Sequence, residues 1–232
     1  MPGLRSPLAL LAVLGALALV LLTGCGSSDG GGDTQAATTA STGDTGCQTV
    51  SAPAPKGDQH LKKPKGLLDP SKAWDVRVTT NCGSFTIRLD TKRAPKTSAS
   101  FAYLVRKGFY DGLTFHRIAQ DFVVQGGDPT GTGSGGPGYT VVEKPPSDVK
   151  YWHGVVAMAK SGTEPDGASG SQFFVVTAQD AGLPPQYALL GRVVSGLEAA
   201  DTIGVQPLQD PASRDGPPAS PIVIQSATLS SH

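Results

Sequence analysis

The sequence predicts a mainly β domain whose short strands close into a barrel. Three observations carry that prediction. About eight short segments alternate apolar and polar residues in the manner of strands. Only two segments have helical periodicity, too few to cover the faces of an open sheet. Glycine- and proline-rich loops separate the segments, and closing such a set removes exposed strand edges. On pattern alone a sandwich remains the alternative.

The elements follow in order. Trp74-Asp-Val-Arg-Val-Thr-Thr alternates, Asn81-Cys82-Gly83 turns the chain, and Ser84-Phe-Thr-Ile-Arg-Leu alternates again, which reads as a hairpin. Pro95 then opens a helix, since proline is tolerated in a first turn. Phe101, Leu104 and Val105 share its apolar face, and Lys107 and Gly108 suit its end. Strands are expected at Thr114–Ile118, Phe122–Gln125, Val155–Ala159, Phe173–Thr177 and Ala188–Val193, with Ile222–Thr228 last. Gly196–Ile203 is the second helical segment. Trp74 and Trp152 are expected to pack.

Residues before this domain have a different character. Leu8 to Leu22 is apolar but short for a membrane span, and it follows a singly basic head. It ends in Leu22-Thr23-Gly24-Cys25, which resembles a bacterial lipobox, where the cysteine becomes a diacylated N-terminus. Two acyl chains suffice for stable anchoring. An ordinary signal peptide cleaved elsewhere is the alternative. Residues 26–46 hold almost nothing apolar and read as a tether, and Ser51 to Pro70 reads as extended and loosely packed. The chain thus divides into a lipoprotein signal peptide (1–24), a lipidated cysteine with a flexible tether (25–71) and a folded domain (72–232). The expected location is outside the cell, lipid-anchored at the outer face of a bacterial membrane.

Composition narrows the function. Lys+Arg and Asp+Glu are both 19, so no basic excess points to nucleic acid. Cys47 and Cys82 could form a disulfide in an oxidising compartment, but their spacing leaves the question open. The histidines and cysteines show no close ligand pairs, so no metal site is expected. Gly131-Thr-Gly133-Ser-Gly-Gly136 matches a dinucleotide fingerprint, but Pro137-Gly138 and a strand-like run follow where a helix is needed. It reads as a mobile glycine loop. Gly167-Ala-Ser169-Gly-Ser171 lacks the last glycine of a nucleophile elbow and reads as loop.

The stretch from Phe115 to Asp128, FHRIAQDFVVQGGD, holds one histidine, one arginine, one glutamine and aromatic surface. Strand alternation puts Phe115 with Arg117 on one face, and Val123 with Gln125 on one face. If the two runs pair, arginine and glutamine meet beside an apolar patch. The plain alternative is a surface arginine paired with Asp121 or Asp128.

Larger blocks decide between these. Tyr110-Asp-Gly-Leu-Thr-Phe-His-Arg-Ile with Phe122-Val-Val-Gln-Gly-Gly-Asp resembles the signature of cyclophilin-type peptidyl-prolyl isomerases. Gly154-Val-Val-Ala-Met-Ala159, Gly170-Ser-Gln172-Phe-Phe174-Val and Tyr187-Ala-Leu-Leu-Gly-Arg-Val resemble later blocks of that family, in family order. The resemblance covers roughly residues 73–230. It implies a closed eight-stranded antiparallel barrel capped by two helices, and no cofactor. It implies that Arg117 is the catalytic arginine and that Gln125 and Gln172 position the substrate. Phe122, Val123, Phe174 and Leu183 would line the proline pocket. Ala159 and Lys160 would border the peptide, and Tyr187 stands where many members carry histidine. Phe173 is read as ordinary core, and His116 as a structural, hydrogen-bonding histidine.

The chain departs from the family pattern at several places. Gly182 replaces the tryptophan usual in cyclosporin-sensitive members, so weak cyclosporin binding is expected. Val123 is shorter than the usual methionine, Lys160 replaces an asparagine, and Gln120-Asp121 replaces Pro-Gly. The reading is a monomeric isomerase acting on proline-containing polypeptides, which assists the folding of exported proteins. The alternative is a proline-peptide adaptor or holdase with weak catalysis.

Overall fold

Val76 and Val78 on one strand face Ile87 and Phe85 on the next, and none of the four is more than 1% exposed. Burying this cross-strand apolar pair of pairs closes the first hairpin, β1 (Trp74–Thr80) with β2 (Gly83–Leu89). The computed structural model describes residues 46–232. Helix α1 (Pro95–Arg106) follows, with its proline in the first turn and Phe101, Ala102 and Leu104 buried. Then come β3 (Phe115–Ala119), β4 (Val123–Gly126), β5 (Val141–Val142), β6 (Val155–Met158), β7 (Ala168–Ser169) and β8 (Phe173–Val176). The chain finishes with β9 (Leu189–Ser195), α2 (Leu197–Gly204), β10 (Asp215–Gly216) and β11 (Ile224–Ser231).

One antiparallel sheet takes the order β10-β3-β4-β8-β6-β9-β2-β1-β11. It curls until its ends meet. Thr114 bridges Val223, Phe115 N–H donates to Ile222 O at 2.9 Å, and Ile224 N–H donates to Leu113 O at 2.7 Å. Eight strands make the wall, and two-residue β10 adds to the side of β3. The mainly β architecture with two helices is the one expected. The two-residue strands β7 and β10 were not expected, because two residues carry no alternation, while β5 falls in the strand-like run that follows Gly138. Ala168–Ser169, read as loop, pairs with Val141–Val142.

Side chains sort into two apolar clusters. The larger fills the barrel and includes Val76, Phe85, Ile87, Phe101, Phe115, Ile118 and Phe173. Phe173 packs edge-on against Phe101, Tyr110 and Phe115 at 5.5, 5.7 and 5.8 Å between ring centres. The smaller cluster includes Val123, Ala157, Phe174 and Leu189, with Phe122, Leu183 and Tyr187 partly buried against it.

The tryptophans differ from each other. Trp74 packs against the main core, donates Nε1–H to Asp69 O at 2.9 Å and carries the Arg106 guanidinium over its ring. Trp152 does not pack as expected: it is 57% exposed. Its neighbour Tyr151, 1% exposed, takes the inward position, and adjacent extended residues point to opposite sides.

Residues 47–71 contain no helix and no regular strand, yet they lie against the barrel. Cys47 and Cys82 are joined by a disulfide. Lys56 N–H donates to Pro129 O and its Nζ to Phe109 O, both at 2.8 Å, and Leu61 N–H donates to Pro137 O. Leu68 enters the main core. The tether expected over 25–71 is therefore extended but docked from Cys47 onward, because its few apolar residues and its lysines find partners that spacing could not reveal. The expected signal peptide (1–24) and lipidated Cys25 lie outside the described residues.

Candidate active site

The site begins with a break in strand regularity. Phe115 pairs with Gly126 and Arg117 pairs with Gln125, so His116 is an extra residue on β3. This bulge cancels the alternation that would place Phe115 and Arg117 on one face. Phe115 turns into the barrel core, fully buried, while Arg117 stays outside with Gln125. Ile118 then returns to the core.

Arg117 is held from two sides. Its Nε–H and Nη2–H donate to the two carboxylate oxygens of Asp215 at 2.7 and 2.6 Å, a bidentate pair. Its Nη1–H donates to Gln125 Oε1 at 3.0 Å. A guanidinium has five N–H donors, so two remain uncommitted by these bonds. The chain of amides continues. Gln125 Nε2 donates to Gln172 Oε1 at 3.0 Å, and Gln172 Nε2 donates to Gly133 O and Gly135 O at 2.9 and 3.0 Å. Each amide's orientation is thereby fixed by the next.

The glycine loop at the end of this chain is anchored, contrary to the mobile loop expected. Buried Asp128 accepts from Thr130 N–H, Thr130 Oγ1–H and Gly133 N–H. Burial pushes the Asp128 carboxyl up, but hydrogen bonds from Thr130, Gly135 and Gly133 outweigh it and hold it below its ordinary value. A Cβ at Gly135 would stand 2.1 Å from Asp128 Oδ1, so only glycine fits there. The periodicity that rejected a dinucleotide site had no means of showing this anchoring.

The apolar side of the site is the smaller cluster. Val123 and Phe174 are nearly buried, and Phe122, Leu183 and Tyr187 are partly exposed around them. Tyr187 stands edge-on to Phe174 at 5.5 Å. Tyr151 Oη–H donates to Tyr187 O at 2.6 Å, which fixes the Tyr187 backbone, and burial pushes the Tyr151 phenol up to about 12. Lys160 Nζ lies 5.8 Å from the Tyr187 ring centre and donates to Ser161 O and Glu164 O. Beside these residues a cavity of about 690 Å3 is lined by Gln125, Gln172, Ala159, Lys160 and the glycine loop.

Two expectations need correction. The surface-arginine alternative named Asp121 or Asp128 as partner, but Asp121 pairs with Arg214 and Asp128 serves the loop. Asp215, 98 residues after Arg117, is the partner that sequence reasoning missed. It sits on two-residue β10, with no periodic signal to expose it. His116, expected to be hydrogen-bonded, has neither ring nitrogen bonded among the described residues. The ring lies beside Gly133 of the glycine loop, where burial lowers its pKa, with Asp128 opposing. No cluster of potential metal ligands occurs among the described residues.

Comparison with known proteins agrees with this geometry. Residues 75–229 match the model of the family "Cyclophilin type peptidyl-prolyl cis-trans isomerase/CLD". The Neurospora crassa peptidyl-prolyl cis-trans isomerase-like 1 is 38% identical over 161 residues, covering 68% of this chain and 94% of that protein. The human protein of the same name is 41% identical over 143 residues, covering 59% and 84%. The crystal structure of a Cryptosporidium parvum cyclophilin type isomerase has 30% identity and a TM-score of 0.63, covering 69% of this chain and 99% of that one. The same protein in the presence of the dipeptide Ala-Pro has a TM-score of 0.61. A family match over most of the folded domain, a shared fold and an arginine–glutamine pair beside an apolar pocket lead to one conclusion: the chain belongs to the cyclophilin-type peptidyl-prolyl cis-trans isomerase family.

Proposed function

We propose that the chain accelerates rotation about X-Pro peptide bonds with Arg117 as its catalytic residue. The observation that carries this reading is Arg117 itself, clamped by Asp215 and Gln125 with two N–H donors left over. Rotation breaks no covalent bond but loses amide resonance, at a barrier of about 18–20 kcal/mol. At the twisted geometry the proline nitrogen regains a lone pair. A donor at that nitrogen is worth more in the twisted state than in the planar one, and only such differential binding lowers the barrier. The clamp supplies the donor already oriented.

Phe122, Val123, Phe174 and Leu183 hold the proline ring and exclude water. Gln125 and Gln172 orient the arginine and the substrate backbone. Ala159, Lys160 and Tyr187 border the peptide. With this division one side of the bond is fixed while the other turns. Gly182 offers neither a ring nor a donor where cyclosporin-sensitive members have tryptophan, so cyclosporin binds weakly.

The substrates are exported polypeptides, and the enzyme works at the outer face of a membrane through lipid on Cys25. The relatives above are eukaryotic, so this part rests on the sequence of residues 1–25. Labelling with radioactive palmitate tests it: the wild type takes up label and Cys25→Ala does not. The catalytic reading is tested by cis/trans exchange in a short X-Pro peptide, which the folded chain should accelerate well above background. A folded chain that binds the peptide without accelerating exchange would instead be an adaptor.

A further inference from the structure

A second hollow, of about 650 Å3, opens between the start of β1, the link from β2 to α1, residues 148–152 and β9. None of the residues assigned to the proline site lines it. Its floor is apolar: Val149, Val155 and Leu189, members of the same cluster that carries Phe174 and Val123. Trp152 stands at its wall with more than half its surface exposed. Such a volume lies within the range of ligand-binding clefts.

Its rim is cationic in a chain that carries 19 formal charges of each sign. Two of its arginines are occupied, Arg88 with Asp75 and Arg93 with Asp148. Lys72, Lys92, Lys150 and Arg192 are exposed and make no ion pair among the described residues. The one other carboxylate at the rim, Asp90, accepts the backbone N–H of Arg93 at 3.0 Å. Four cations without an ion pair, set against the single carboxylate of Asp90, therefore surround an apolar floor and one exposed indole.

We propose that this groove docks an acidic polypeptide segment, which inserts an apolar side chain against Val149, Val155 and Leu189 while its carboxylates meet Lys72, Lys92, Lys150 and Arg192. Concavity favours a chain over a membrane, since a flat bilayer face cannot reach the floor. The apolar floor favours a peptide over a nucleic-acid backbone, whose sugars and phosphates would leave it unfilled. Rim charges of this kind speed encounter and make binding sensitive to salt.

The test uses the full-length chain and the proline-free peptide acetyl-Glu-Asp-Leu-Phe-Asp-Glu-amide, which does not engage the proline site. The chain has two tryptophans, so the emission change on titration is assigned by Trp152→Phe. The proposal expects a saturable change that disappears in Trp152→Phe. It also expects binding at least about tenfold weaker in the double variant Lys150→Glu/Arg192→Glu, and weaker again at high salt. Both altered residues are exposed and outside the proline site, so exchange catalysis on a short X-Pro peptide should stay at the wild-type level and report an intact fold. Absence of saturable binding by the wild type overturns the proposal, as does equal affinity in the double variant. Preference for phosphatidylglycerol vesicles or single-stranded oligothymidylate over the peptide overturns it in favour of those partners.

Discussion

Phe173 and Phe174 follow one another along β8, and their side chains leave the sheet on opposite faces. Phe173 meets Phe101, Tyr110 and Phe115 inside the barrel. Phe174 meets Tyr151 and Tyr187 outside it, in the cluster proposed to hold the proline ring. The two residues have the same chemistry and nearly the same burial, 1% and 4% exposed. What separates them is strand alternation alone. The lesson is that this wall divides its duties by face: the inner face holds the fold and the outer face builds the site.

That division can be broken by substitution. The largest effect expected is on stability, from Phe173→Ala, which should cost about 3–5 kcal/mol in urea denaturation. Phe174→Leu keeps most of the volume and should cost about 1 kcal/mol or less, while raising KM for an X-Pro peptide. Equal stability losses would erase the distinction. Next comes the disulfide, which lies away from the site. Cys82→Ser releases a link across 35 residues and should lower stability by about 2–4 kcal/mol with kcat/KM unchanged. A matching fall in activity would show that the docked segment supports catalysis.

A smaller effect sharpens the outer face. Asp215→Ala should reduce kcat roughly tenfold through a loosened Arg117, with KM little changed. Stability should move by about 1 kcal/mol or less, because the pair is partly exposed. Asp215→Asn retains one acceptor and should recover part of the rate, which a purely structural role would not require. The smallest effect concerns pH. Burial lowers the His116 pKa below its ordinary 6.5, so the folded state prefers the neutral ring. Its stability contribution is complete above about 6.5 and is lost as pH falls through the lower folded value. Melting temperature measured against pH should decline less steeply over that range in His116→Gln than in the wild type.

The sequence made some of this legible and not the rest, for physical reasons. Apolar alternation over Trp74–Leu89 announced the hairpin because each residue faces only one side. The helix at Pro95 announced itself through its proline and the spacing of Phe101, Leu104 and Val105. Arg117 and Gln125 were readable as candidates because both lie on short strands four residues apart. The bulge at His116 was not readable, since an inserted residue leaves no mark in composition, and it moved Phe115 to the other face. Asp215 was hidden by distance along the chain and by the brevity of β10. Trp152 was misjudged because a large aromatic ring is usually buried, and nothing in its neighbours says that Tyr151 takes the inner place.

If the clamped Arg117 stabilises the twisted bond rather than the bound substrate, its loss slows exchange without weakening binding. Exchange rate and peptide affinity should therefore be measured together by NMR for the wild type and Arg117→Ala. Arg117→Ala should lower the exchange rate by about 10²–10³-fold, with affinity for the X-Pro peptide changed only slightly. An Arg117→Ala enzyme that exchanges the peptide at the wild-type rate, or that loses binding in proportion to rate, would contradict it.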